Sequence, residues 1–114
     1  MIPIEQKELF GKYRINLTKD DVEFLELRQN GECFQEIKLK SGATYTAIGK
    51  WRYSKESMGI FLENTRRALN ADGKINPNIS ESPSGLVTTY TVYRSFFGFR
   101  ILLNMAEDLN FEKL

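Results

Sequence analysis

Four glutamates at strand-like spacing, Glu23, Glu26, Glu36 and Glu63, are the groups best suited to acid–base chemistry in this chain. Two carboxylates flanking a bond are the usual apparatus of glycoside hydrolysis, one giving a proton and the other attacking or activating water. Alternate positions on a strand also carry charge simply to face water, and that explanation covers all four. Glu107 and Asp108 fall in an expected turn. There is no histidine, so neither a Ser-His-Asp nor a Cys-His arrangement exists, and no imidazole can hold a metal. The single cysteine, Cys33, follows Glu32, whose negative charge would raise a thiol pKa, so Cys33 reads as structural. Asn70-Ala71-Asp72-Gly73 resembles part of a calcium loop. With Gly73 at the sixth position, however, Ala68 and Ile79 occupy places that need acidic ligands. The expectation is a protein that is not an enzyme and holds no cofactor or metal.

The cations point the same way. Lys50, Arg52 and Lys55 interleave with Trp51 and Tyr53 in the manner of a nucleic-acid surface, but strand alternation sends the aromatics and the cations to opposite faces. Sixteen basic against fifteen acidic residues leave a formal charge of +1. No basic excess therefore recommends nucleic acid or an anionic membrane as partner. The adjacent Arg66-Arg67 pair is the best candidate for a bidentate anion contact.

These side chains must be positioned by strands. From Lys12 the apolar period is two: Tyr13, Ile15 and Leu17 share one face, Lys12, Arg14 and Asn16 the other. Strands are expected at Val22–Arg28, up to Leu39, Thr44–Tyr53, Met58–Glu63, Leu86–Arg94 and Phe99–Met105, with a last piece at Phe111–Leu114. Asn30-Gly31 is the strongest turn signal, and a two-residue type I′ loop there would oppose Leu27 to Phe34, Phe24 to Ile37 and Val22 to Leu39. Both faces of that hairpin would then be apolar, unless a bulge shifts the register. Gly49 in mid-strand marks a bend or bulge. Ile4–Phe10 reads as a short helix able to plug a barrel end, and Ser95–Gly98 as a hairpin turn. Residues 64–85 form a long polar loop whose first part, Thr65–Asn70, could make a helical turn. The fold class is all-β: one domain over residues 1–114, a single antiparallel meander closing into a barrel of seven or eight strands.

A short N-terminal helix before Gly11-Lys12-Tyr13 resembles the start of lipocalins and fatty-acid-binding proteins, the calycin-type barrels. Their first strand carries Gly-x-Trp; here Tyr13 stands in the Trp position, and Gly49-Lys50-Trp51 repeats the pattern in mid-chain. The resemblance implies a barrel that carries a small apolar ligand. In size and lack of catalytic residues the chain is also similar to bacterial toxin-immunity proteins, which implies protein–protein inhibition.

Two functions follow as expectations. The first is an inhibitor that docks a protein partner, such as a cognate toxin domain, through apolar anchors with Asp20, Asp21, Glu23, Glu26, Asn30, Arg66 and Arg67 around them. The second is a carrier of a small apolar ligand, its pocket drawn from Arg14, Tyr45, Trp51, Tyr53, Tyr90, Tyr93, Arg94 and Arg100. A lone cysteine and an N-terminus without a basic-then-apolar pattern suit a cytoplasmic location.

Overall fold

Alternation of apolar and polar residues is realised as eight antiparallel strands in a closed barrel, each bonded to the next in sequence and the last to the first. The computed structural model describes residues 3–81, 87–95, 100–106 and 109–114. The strands are β1 (Gly11–Asn16), β2 (Val22–Leu27), β3 (Glu32–Lys38), β4 (Thr44–Ser54), β5 (Gly59–Glu63), β6 (Val87–Arg94), β7 (Ile101–Ala106) and β8 (Leu109–Lys113). The strand count is thus eight. The hairpin turn expected at Ser95–Gly98 falls largely outside the described residues.

The register around Asn30-Gly31 differs by one residue from a type I′ hairpin. Arg28 and Glu32 close the loop, and only Gly31 has positive φ (88°). A three-residue loop, Gln29-Asn30-Gly31, with glycine in the left-handed region, replaces the two-residue one. Leu27 therefore opposes Cys33, Leu25 opposes Gln35 and Glu23 opposes Ile37, all facing inward, while Phe24 and Phe34 turn outward. The shift resolves the two-faced hairpin at one cost: it puts a glutamate inside the barrel.

The same device recurs. Gly42 (φ 93°) closes the β3–β4 loop, with Leu39 opposite Ala43. Gly73 (φ 80°) closes a miniature hairpin in which Asn70 opposes Lys74 and Leu69 bridges Ile75. The helical turn expected over Thr65–Asn70 does not form: residues 65–68 are irregular and lead into this hairpin.

One barrel end is sealed by the N-terminal segment. Only a single 3-10 turn forms there, Gln6–Glu8, rather than an α-helix. Ile4 and Leu9 are buried, Tyr13 donates its hydroxyl to the Leu9 carbonyl (2.8 Å), and Tyr53 donates to that of Ile4 (2.8 Å). Phe10 meets Trp51 edge-on, and Trp51 Nε1 donates to the Arg28 carbonyl. The inward aromatics Tyr13 and Tyr53 are thus taken up in closing this end. The opposite end, the mouth, lies under the 64–81 segment.

Candidate functional site

The mouth is built from two peculiarities of β4 and β5. A Cβ on Gly49 would lie 2.0 Å from the Glu63 carbonyl oxygen, so glycine alone lets the end of β5 approach this closely. Asn64 then takes a positive φ (63°) and turns the chain over the barrel. Thr65, Ala68 and Ile79 are buried by this turn, and the 64–81 segment becomes a cap.

Side chains hold the cap in place. Gln35 Oε1 accepts the Arg66 N–H (2.7 Å), and Gln35 Nε2 donates to the Arg66 carbonyl (2.8 Å). The Arg66 guanidinium donates to the carbonyls of Thr46 (2.8 Å), Ile79 (3.0 Å) and Glu81 (2.9 Å). Through Nε and Nη1 it fastens the cap to β4 and to itself. Arg67 remains exposed at the rim.

Between the cap and strands β6, β7 and β8 lies a cavity of about 410 Å³. Ala68, Leu69, Val87, Met105 and Leu109 form its apolar wall, and Glu23 and Tyr90 its polar floor. Glu23 is 1% exposed. One carboxyl oxygen accepts Gln35 Nε2 (2.8 Å); among the described residues the other has no donor. Burial pushes its pKa up from 4.5 to about 7, against the smaller opposing pull of the Gln35 amide. Tyr90 is 7% exposed, and its hydroxyl makes no hydrogen bond among the described residues. Burial, with the neighbouring Glu23 and Cys33, holds that hydroxyl well above its ordinary pKa. Cys33 is fully buried, and its thiol is pushed up to about 11, chiefly by burial. It is no nucleophile at neutral pH.

Of the expected pocket residues, Tyr90 alone lines this cavity. Tyr45 faces inward near the mouth and packs on the core. Trp51, Tyr53 and Arg94 face inward at the sealed end; Arg94 pairs with Glu8 there (2.7 Å). Arg14 lies on the outer surface because it alternates with buried Tyr13 and Ile15. Tyr93 bonds Asn110 on the outside (2.7 Å), and Arg100 is exposed and paired with Glu112 (3.0 Å).

The expected docking rim is likewise redistributed. Glu23 is inside the barrel, a consequence of the one-residue register shift, and cannot belong to an exposed rim. Asp21 accepts the Thr18 hydroxyl and the Lys40 N–H, which hold its carboxyl below the usual range, and so ties two loops together. Asp20 is exposed and lies 3.6 Å from Lys40. Glu26 pairs with Arg28 (2.7 Å), and Asn30 caps its own turn through Glu32. The outer face of β1–β5 holds a different feature: Phe24 lies under Arg14 and Lys38, Phe34 under Arg28, and Phe61 under Arg52. Ile48, opposite Phe34, is 61% exposed.

Gln35 and the cap were not singled out by sequence reading, nor was Glu23 as an interior group. The signal that would have found them is Gly31: read as the last residue of a three-residue loop, it sets Glu23 and Gln35 on the inward face. By fold and site this is an up-and-down eight-stranded barrel, sealed at one end and capped at the other over a small cavity. Compared with known proteins, the chain matches no family model, no curated protein and no solved structure.

Proposed function

We propose that this protein is a non-catalytic carrier that binds a small, largely apolar molecule in the barrel mouth, as lipocalins do in kind. The observation that carries this reading is the 410 Å³ cavity with an apolar wall and, at its floor, Glu23 and Tyr90, whose free oxygens open onto it. Small-molecule sites are built this way: apolar lining supplies affinity and a few placed polar atoms fix orientation. Native mass spectrometry of protein purified from its host without denaturation tests it. An added mass of a few hundred daltons, released on unfolding, is the expected result. Bare protein, together with no change in the amide spectrum around Thr88–Tyr90 on adding apolar compounds, would refute it.

A second reading, inhibition of a protein partner in the manner of immunity proteins, is favoured by one observation. Phe24, Phe34 and Ile48 form an apolar strip on the outer face, bordered by Arg28, Lys38 and Glu36. Aromatic anchors within a charged rim suit a protein interface. Affinity capture from the host that recovers a stoichiometric partner with the wild type, but not with Ile48→Glu, would support this reading over the first.

A further inference from the structure

We infer that the ligand of the mouth cavity carries a basic nitrogen, seated against the free carboxyl oxygen of Glu23 and within the reach of the Tyr90 hydroxyl. This rests on the carrier reading and specifies its ligand. The argument begins with what surrounds Glu23. Gln35 approaches from β3 and occupies one oxygen. Tyr90 from β6 is the titratable neighbour, and it is neutral near pH 7. The two cap arginines do not compensate the charge: Arg66 is turned onto three carbonyls, and Arg67 stands at the exposed rim. Only burial and the Gln35 amide govern the ionisation of Glu23.

The free Glu23 oxygen opens onto the cavity, since among the described residues no buried side-chain oxygen lacks a partner. Once an apolar ligand displaces water from the cavity, that carboxyl keeps a proton or meets a cation. An ammonium group supplies the cation together with two or three N–H donors, enough for the free Glu23 oxygen and the lone pairs of Tyr90. A carboxylate or phosphate ligand would instead place like charge against Glu23. An alcohol could bond there but would leave the charge unpaired. Leu69, Val87, Met105 and Leu109 then take the apolar body, and the volume suits roughly ten to twenty non-hydrogen atoms. Where Glu23 is protonated in the empty protein, entry of an ammonium ion expels that proton to solvent: Glu–COOH and R–NH3+ become the ion pair and one H+.

The test uses three probes of matched shape, phenylbutylamine, phenylbutanol and phenylbutyrate, titrated into the full chain just below neutral pH. Binding is followed by amide shifts at Ala68, Leu69 and Thr88–Tyr90. The amine should bind about tenfold more tightly than the alcohol, and the acid least. Calorimetry in two buffers of different ionisation enthalpy should show proton release with the amine alone. Glu23→Gln should remove the preference for the amine and retain binding of the alcohol; the wild-type ranking and the proton release stand without that variant if it fails to fold. Alcohol or acid binding as tightly as the amine would overturn the inference and leave the cavity reading intact. Shifts from none of the three would overturn both.

Discussion

The side-chain amide of Gln35 pairs with the backbone of Arg66 as one strand pairs with another, accepting from its N–H and donating to its carbonyl. A buried β3 residue thereby stands in for a ninth strand and holds the cap. Replacing Gln35 by Leu leaves the Arg66 peptide and one Glu23 oxygen without partners. The expected loss is about 3 kcal/mol or more of unfolding free energy, since three groups lose a partner and each unsatisfied buried group costs about 1–3 kcal/mol. Urea titration measures it. Hydrogen exchange should show the 65–79 amides losing protection before those of β2 and β3. Equal loss throughout would mean that the cap is not held through Gln35.

Glu23 gives the protein an unusual pH dependence. Its pKa rises from 4.5 to about 7 on folding, so between those values the folded state holds a proton that the unfolded state has lost. Stability is therefore highest below about pH 4.5 as far as this group is concerned, falls as pH rises through the window, and levels off above about 7. The full change is on the order of 3 kcal/mol. Asp21 and Glu8 act in the opposite sense: hydrogen-bond partners hold both carboxyls low, and their contribution is lost in strong acid. A stability maximum in weak acid is expected, between about pH 4.5 and 6. Glu23→Gln should flatten the fall toward neutrality. A wild-type profile rising from pH 5 to 7 would contradict the placement of Glu23.

Gly49→Ala should be severe for so small a change. The new methyl would sit 2.0 Å from the Glu63 carbonyl oxygen, which is backbone and cannot swing aside. Overpacking of this kind costs about 1–3 kcal/mol, and the end of β5 must move to relieve it. By contrast, a Cβ on Gly31 meets nothing within 4 Å, so Gly31→Ala pays only for its positive φ, about 1 kcal/mol. Thermal melts of the two variants would rank them. Gly49→Ala proving the milder would refute the close approach.

Cys33 should be inert to thiol reagents in the native state. It is buried against Gly49 and held in the thiol form. Labelling by iodoacetamide should track unfolding along a urea series, with the same midpoint as fluorescence. Rapid labelling of folded protein would place Cys33 at an opening to solvent.

Much of the barrel was legible in the chain because its strands are short and strictly alternating. Tyr13, Ile15 and Leu17 declare the inward face of β1 and the segment after it, and Tyr45 to Tyr53 that of β4. The turns were recognised by their glycines, but glycine alone does not say how many residues precede it. A type I′ pair and a three-residue loop share Asn-Gly and differ by one place in register, and one place exchanges inside for outside. That slip hid the site, because it assigned Glu23 to the surface. The cap was less legible still. Its place over the barrel rests on Arg66 and Gln35, residues 31 apart in sequence, and no local pattern announces such a pair.

The meander order has a consequence for how the chain assembles. Seven of the eight strand pairings join neighbours in sequence; six of them close short loops, and β5–β6 alone closes over the long segment that carries the cap. Only the β1–β8 seam, where Tyr13 meets Lys113 and Arg14 meets Glu112, requires the two ends of the polypeptide to find each other. That closure is the longest of all and follows the local hairpins, which makes the seam the expected slow step of folding. It is also where a second copy of the chain, at high concentration, could supply the missing strand before the ring shuts.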